Sequence, residues 1–147
     1  MKWLTRSHVH VDRVACPWLI TRFIDSAAEF LFVPRNQIDT VAHETRAIPF
    51  DAPGVELGHH DGRCSFESII LKYDLKDAAL LRMAKIVHAA DVAADIDGDP
   101  IARGLEAIAS GYSLRYPDDR ENLEHQFAVY DALYAWCRLD VASAGKR

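Results

Sequence analysis

Dense apolar runs a few residues long fill the first third of the chain, and long patterns of helical period fill the last half. Lys2-Trp3-Leu4-Thr5-Arg6 predicts a short strand. Glu29-Phe30-Leu31-Phe32-Val33, closed by Pro34, predicts a buried one. Between them Trp18, Leu19, Ile20, Phe23 and Ile24 predict a helix over Cys16 to Asp25, apolar around most of its circumference. Pro17 suits its first position, where a missing amide costs nothing. From Arg35 to Arg63 the pattern is irregular, with edge strands expected at Ile48–Asp51 and Val55–Leu57 on either side of the turn Ala52-Pro53-Gly54.

Four helices are expected beyond that point. A short one, capped by Ser65, runs to Tyr73. Asp77 caps the next, to about Ala94, and Asp99-Pro100 starts another that Gly111 ends. Asp118 with Glu121 opens the last, to about Arg138. On it Leu123, Phe127, Tyr130, Tyr134 and Cys137 form one stripe, and Val129, Leu133 and Trp136 form a second, so it reads as a central, nearly encircled core helix. Glu124 and Asp131 flank the stripe and are expected to be solvated. The fold class is α+β, helix-rich, with a small mixed sheet from the N-terminal half packed against about four to five helices. With no internal repeat or linker, residues 1–141 read as one domain and 142–147 as a disordered tail.

Composition narrows the function. Of 147 residues 50% are hydrophobic and 27% charged, which belongs to a folded globular chain. Seventeen basic against twenty-two acidic residues give a net charge of −5, so the footprint of a nucleic-acid binder is missing. No apolar run approaches the roughly 20 residues a membrane helix needs. The opening MKWLTRSHVHVDR is not a signal peptide, so the expected location is the cytoplasm. There Cys16, Cys64 and Cys137 remain thiols.

Three segments carry candidate chemistry. At about 100° per residue, Leu80, Ala84 and Val87 mark one helix face, with Asp91 in its middle and His88 on its edge. A carboxylate there needs a cation or donors, and a metal ion held by His88 and Asp91 satisfies it, as does a buried arginine. In Gly58-His59-His60-Asp61-Gly62-Arg63-Cys64-Ser65-Phe66-Glu67, the ligands available to zinc, iron or manganese are His59, Cys64 and Glu67. Glu67 equally suits a helix's first turn, and Cys64 a buried apolar position. In His8-Val9-His10-Val11-Asp12-Arg13, an extended backbone aligns His8, His10 and Asp12. Cys16 then falls near a helix N-cap, where its thiol is acidified, while Arg6 and Arg13 offer charge to an oxyanion. Asp95-Ile96-Asp97-Gly98-Asp99 is a poor calcium loop, since its glycine is misplaced and Pro100 starts a helix.

Taken together these residues resemble the chromate-resistance domain family, the C-terminal domain of ChrB-type proteins. The resemblance rests on Trp3–Arg6, on Asp12-Arg13-Val14-Ala15-Cys16-Pro17-Trp18-Leu19-Ile20 with Arg22–Asp25, and on Glu29–Val33. It continues through Ile48–Asp51, His59, Phe66-Glu67, His88-Ala89-Ala90-Asp91 and Tyr130–Trp136, over nearly the whole chain. It implies that a histidine like His59, the Phe-Glu pair and the His-x-x-Asp helix belong together. Cys64 is outside that pattern and drops in rank. Family members are associated with chromate resistance, often with a further N-terminal domain.

The expectation that follows is a cytoplasmic metal-binding domain, enzyme or not, active in oxyanion or oxidative stress resistance. One iron, manganese or zinc ion would be bound by His59, Glu67, His88 and Asp91, with Asp12, Arg13 and Cys16 as neighbouring substrate or catalytic groups. Its partner would be a small-molecule or oxyanion ligand, without nucleic acid or membrane, and a homodimer is compatible with the sequence. Two rival expectations are a non-catalytic oxyanion-sensing module using Arg6 and Arg13, and a thiol redox protein using Cys16.

Overall fold

The computed structural model describes residues 1–145. The last two positions of the expected tail, 146 and 147, lie outside the described residues. Its first strand, β1 (Lys2–Arg6), leads through α1 (Val11–Phe23) to β2 (Glu29–Val33), and β3 (Ile48–Pro49) follows α2 (Ile38–Thr45). Then come α3 (Ser65–Lys72), α4 (Ala78–Asp91), a 3-10 segment over Ala93–Gly98, α5 (Ala102–Arg115) and α6 (Asp119–Ala144). The strand order is β2-β1-β3, and both pairings are parallel, so the sheet is not mixed. The class is α+β and helix-rich.

β1 is the central strand, and its alternation divides the interior. Trp3 enters the main core with α1, α3, α4 and α6, while Leu4 enters a smaller cluster with Ile38, Ala47, Ala52 and Val55 beneath α2. β2 is an edge strand and only half buried, although its apolar run suggested full burial. Packing against one strand and leaving the other edge free is enough to expose part of each side chain. The expected strand at Val55–Leu57 is reduced to a single bridge between Phe50 and Leu57.

The encircled helix is α1, not α6. Nine of its thirteen residues are buried, Asp12 among them, and Pro17 lies inside it rather than at its start. An internal proline costs a helix about 3 kcal/mol, which burial of Val14, Ala15, Trp18, Leu19 and Ile20 offsets. α6 buries one flank (Leu123, Gln126, Tyr130, Cys137) and leaves Leu139 63% exposed. It also runs past Arg138 to Ala144, taking up residues expected in the tail. Asp131 is not merely solvated, since it accepts from Trp18 Nε1 at 2.7 Å and from Arg22, tying α6 to α1.

Three smaller differences have local causes. α2 was not expected, because eight residues with Ile38 alone buried carry little apolar signal. Gly111 does not end α5, which continues to Arg115. α3 is capped by Cys64 rather than Ser65, with Glu67 reaching back to the Cys64 amide at 3.0 Å. The Asp77 and Asp118 caps form as expected.

Candidate metal centres

The first turn of α3 organises two groups of ligand-type side chains. Its free amides point into the core. Ser65 N donates to Asp12 Oδ2 at 2.8 Å and Phe66 N to Asp12 Oδ1 at 3.2 Å, so the buried carboxylate on α1 sits where a helix N-terminus favours an anion. The Ser65 hydroxyl, freed from capping, donates to Asp51 Oδ1 at 2.7 Å. Asp51 is 3% exposed and adopts φ 44°, left-handed backbone that aspartate tolerates better than most residues. It lies between Arg6 and Arg13, at 3.4 and 3.3 Å.

His59 reaches over this floor. Its Nε2 lies 3.5 Å from Asp12, 3.4 Å from Asp51 and 3.3 Å from Asp91, the last residue of α4. Hydrogen bonds to Asp12 and then Asp51 hold the imidazole protonated, with a pKa raised to about 10. Burial, followed by the charges of Asp12 and Asp51, lifts Asp91 to about 7. Burial also raises Asp12. Asp51 falls the other way: burial is outweighed by His59, Ser65 and the two arginines. With His59 charged, three cations face three acids, two of which, Asp12 and Asp91, are pushed toward the neutral form.

The second group uses the side chains of the same turn. Glu67 Oε1 meets His88 Nδ1 at 2.5 Å, and His88 Nε2 meets Asp95 Oδ2 at 2.7 Å. Asp95 and then Glu67 raise the His88 pKa against the cost of its burial. Ligand atoms of Cys64, Glu67 and His88 all lie within 4.8 Å of one another, as do those of Asp12, His59 and Asp91.

The four side chains expected to share one ion thus fall into two groups, His59 with Asp91 and Glu67 with His88. Three residues apart on α4, His88 and Asp91 diverge: His88 turns to α3 and the 3-10 segment, whereas Asp91, at the helix end, turns to α1. Cys16 is not at a helix N-cap. It sits within α1, fully buried, 3.4 Å from Asp12 Oδ1, and burial followed by the Asp12 and Asp51 charges pushes its thiol pKa well up. Arg13 is committed to Asp51 and to the His8 carbonyl. The calcium-like acids are dispersed, Asp95 to His88, Asp97 to Arg103 and Asp99 to Arg82.

Asp51 was missed as a site residue, because a loop carboxylate with no periodic context gives no local signal. Cys64 was visible and set aside. Asp95 was read only within the poor calcium loop.

Comparison with known proteins names the class of this helix-rich α+β domain. The chain belongs to the ChrB C-terminal domain family: the model described as "ChrB, C-terminal domain" matches residues 3–137. A curated relative, "Protein ChrB" of Cupriavidus metallidurans (strain ATCC 43123 / DSM 2839 / NBRC 102507 / CH34), is 38% identical over 136 residues. That match covers 90% of this chain and 40% of the relative, so the chain spans about two-fifths of its length. No solved structure matches. Among the described residues no helix is long and apolar enough to cross a membrane.

Proposed function

We propose that this domain binds one divalent transition-metal ion at Asp12, His59 and Asp91, and that the centre serves chromate resistance. The observation that carries this reading is a single imidazole nitrogen within 3.5 Å of three carboxylates drawn from separate elements, two of them buried. An ion replaces the protons that now hold these groups together, chiefly that of His59. Asp51 keeps its arginines and orients the others. Carboxylates in excess over imidazole favour manganese or iron above softer ions. Asp91 also lines a cavity of about 420 Å³ with His10, Arg103 and Glu106, so one of the three proposed ligands borders open space. A bound metal there would supply Lewis-acid polarisation.

The rival readings have less support. Both arginines of the oxyanion-sensing reading are occupied by Asp51, and the Cys16 thiol is buried and held protonated. Three unpaired buried cysteines fit a reducing compartment, the cytoplasm. The test is a manganese titration of tag-free protein beside the His59→Ala and Asp91→Asn variants. One ion per chain in the wild type, absent from both variants, is expected. Equal loading of all three proteins would end the proposal.

A further inference from the structure

The cluster at Cys64, Glu67 and His88 is independent of the centre just described, and its chemistry differs. We infer that Cys64 Sγ, Glu67 and His88 Nδ1 form a second metal site, of zinc type, with Asp95 as the carboxylate that orients His88. The donor set combines thiolate, imidazole and carboxylate, which suits a borderline-soft ion. The three ligand atoms already lie within 4.8 Å of one another. The first turn of α3 fixes two of them, because Cys64 caps the helix and Glu67 returns to its amide.

The second ring nitrogen of His88 supplies a further argument. A histidine that binds metal through one nitrogen commonly donates the other N–H to a carboxylate, which fixes tautomer and ring angle. His88 meets Glu67 through Nδ1 and Asp95 through Nε2, at 2.5 and 2.7 Å. Nδ1 is the nitrogen that faces Glu67, so an ion would be held on that side while Asp95 keeps the Nε2 proton. Glu67 and His88 also line a cavity of about 460 Å³ with Lys85, Asp95 and Asp97, so two of the three ligands border open space.

Charge and protons balance. A divalent ion meets one thiolate, one carboxylate and a neutral imidazole, giving zero net charge. Binding releases the Cys64 thiol proton and the proton shared by Glu67 and His88. Until then burial, then the charge of Asp12, raise the thiol's pKa, so the cysteine stays protonated and unreactive.

Cobalt(II) reads this site directly, because thiolate ligation gives a near-ultraviolet charge-transfer band that oxygen and nitrogen ligands do not. Titration of the reduced full chain is expected to produce that band, with zinc displacing cobalt and abolishing it. Cys64→Ser and His88→Ala should lose the band. Serine caps a helix at least as well as cysteine, so the first variant keeps α3, and circular dichroism checks this. Asp95→Asn should retain the band while cobalt affinity drops roughly 10- to 100-fold. Asp91→Asn, which disables the other centre, should leave the band unchanged. A wild type that shows no thiolate band, or a Cys64→Ser protein that keeps one, overturns the inference. Failure of the manganese titration leaves this readout untouched, and the reverse also holds.

Discussion

The two groups at the start of α3 draw on one stretch of chain in opposite ways. Toward Asp12 and Asp51 the helix offers main-chain amides and the Ser65 hydroxyl, and the acids they meet are almost wholly buried. Toward His88 it offers the side chains of Cys64 and Glu67, and the surroundings open to a cavity. The first group is therefore part of the packing, with its charges matched by Arg6, Arg13 and His59. The second is more open, with only Cys64 wholly buried, and its structural part is the cap that Cys64 and Glu67 make for α3. A group of the first kind is costly to remove even without a ligand. One of the second kind should be cheap to remove and should matter when a ligand is present.

The largest effect expected from this contrast is on stability. Asp12→Ala strips the partner from two buried helix amides and removes one of the three carboxylates around His59. Breaking one side of a buried ionic network costs about 3–5 kcal/mol. In a chain of this size that lowers the melting temperature by roughly 10 °C or more. His88→Ala and Cys64→Ser should each cost less than half as much. Thermal unfolding of the three metal-free proteins decides it, and equal losses would erase the distinction between the groups.

Next in size is a gain. Asp91 has its pKa raised from 3.8 to about 7, so its charged form is what the folded state disfavours. The cost is absent below the unfolded value near 4 and fully present above 7. Asp91→Asn should thus stabilise the metal-free protein at pH 8, by on the order of 2 kcal/mol, read as a higher melting temperature. The advantage should shrink toward pH 4, and the variant should lose manganese binding at every pH. Stability lost at pH 8 would mean that Asp91 is held by its neighbours rather than strained against them. His59 has the opposite sign. Its raised pKa gives stability that is complete below about 6.5 and is lost as pH climbs through about 10.

How much of this could be read from residue order depends on the range of the interaction. Helical period placed His88 and Asp91 on α4, and the Glu67 position in a helix's first turn was visible too. Period could not say that two side chains three residues apart would serve different groups. That depends on where α4 stops, because Asp91 is its last residue and the 3-10 segment carrying Asp95 folds back beside His88. Pro17 misled for a related reason. A local rule put it at a helix start, while tertiary burial extended α1 six residues upstream and turned Asp12 from a strand residue into a first-turn carboxylate. The strands at Lys2–Arg6 and Glu29–Val33 were legible from composition, yet which of them lies at an edge is a matter of sheet order.

Proton release sharpens the comparison further. At pH 8 manganese entering the first group should expel about one proton, that of His59, since Asp91 is already mostly ionised. At pH 6 Asp91 is protonated as well, and the release should approach two. Affinity for manganese should therefore rise with pH, more steeply below 7 than above it. Calorimetry in buffers of different ionisation enthalpy measures the proton count. A constant count across this interval would remove Asp91 from the ligand set.

The smallest effect tests whether the shared turn couples the groups. Ser65 is the one residue of the turn whose side chain serves only the first group, through its 2.7 Å bond to Asp51. Ser65→Ala removes that bond and leaves Asp51 with Arg6 and Arg13. The cap of α3 survives, because Cys64 and Glu67 make it. The expected loss is about 1 kcal/mol of stability, with a several-fold weakening of manganese binding as Asp51 loosens beneath His59. The cobalt–thiolate band should keep both its intensity and its midpoint. If the midpoint moves together with manganese affinity, the two groups are mechanically one, and α3 transmits the state of either to the other. If it stays, the helix is a rigid floor between two independent centres, as its burial at Ser65, Phe66, Ile69 and Ile70 implies.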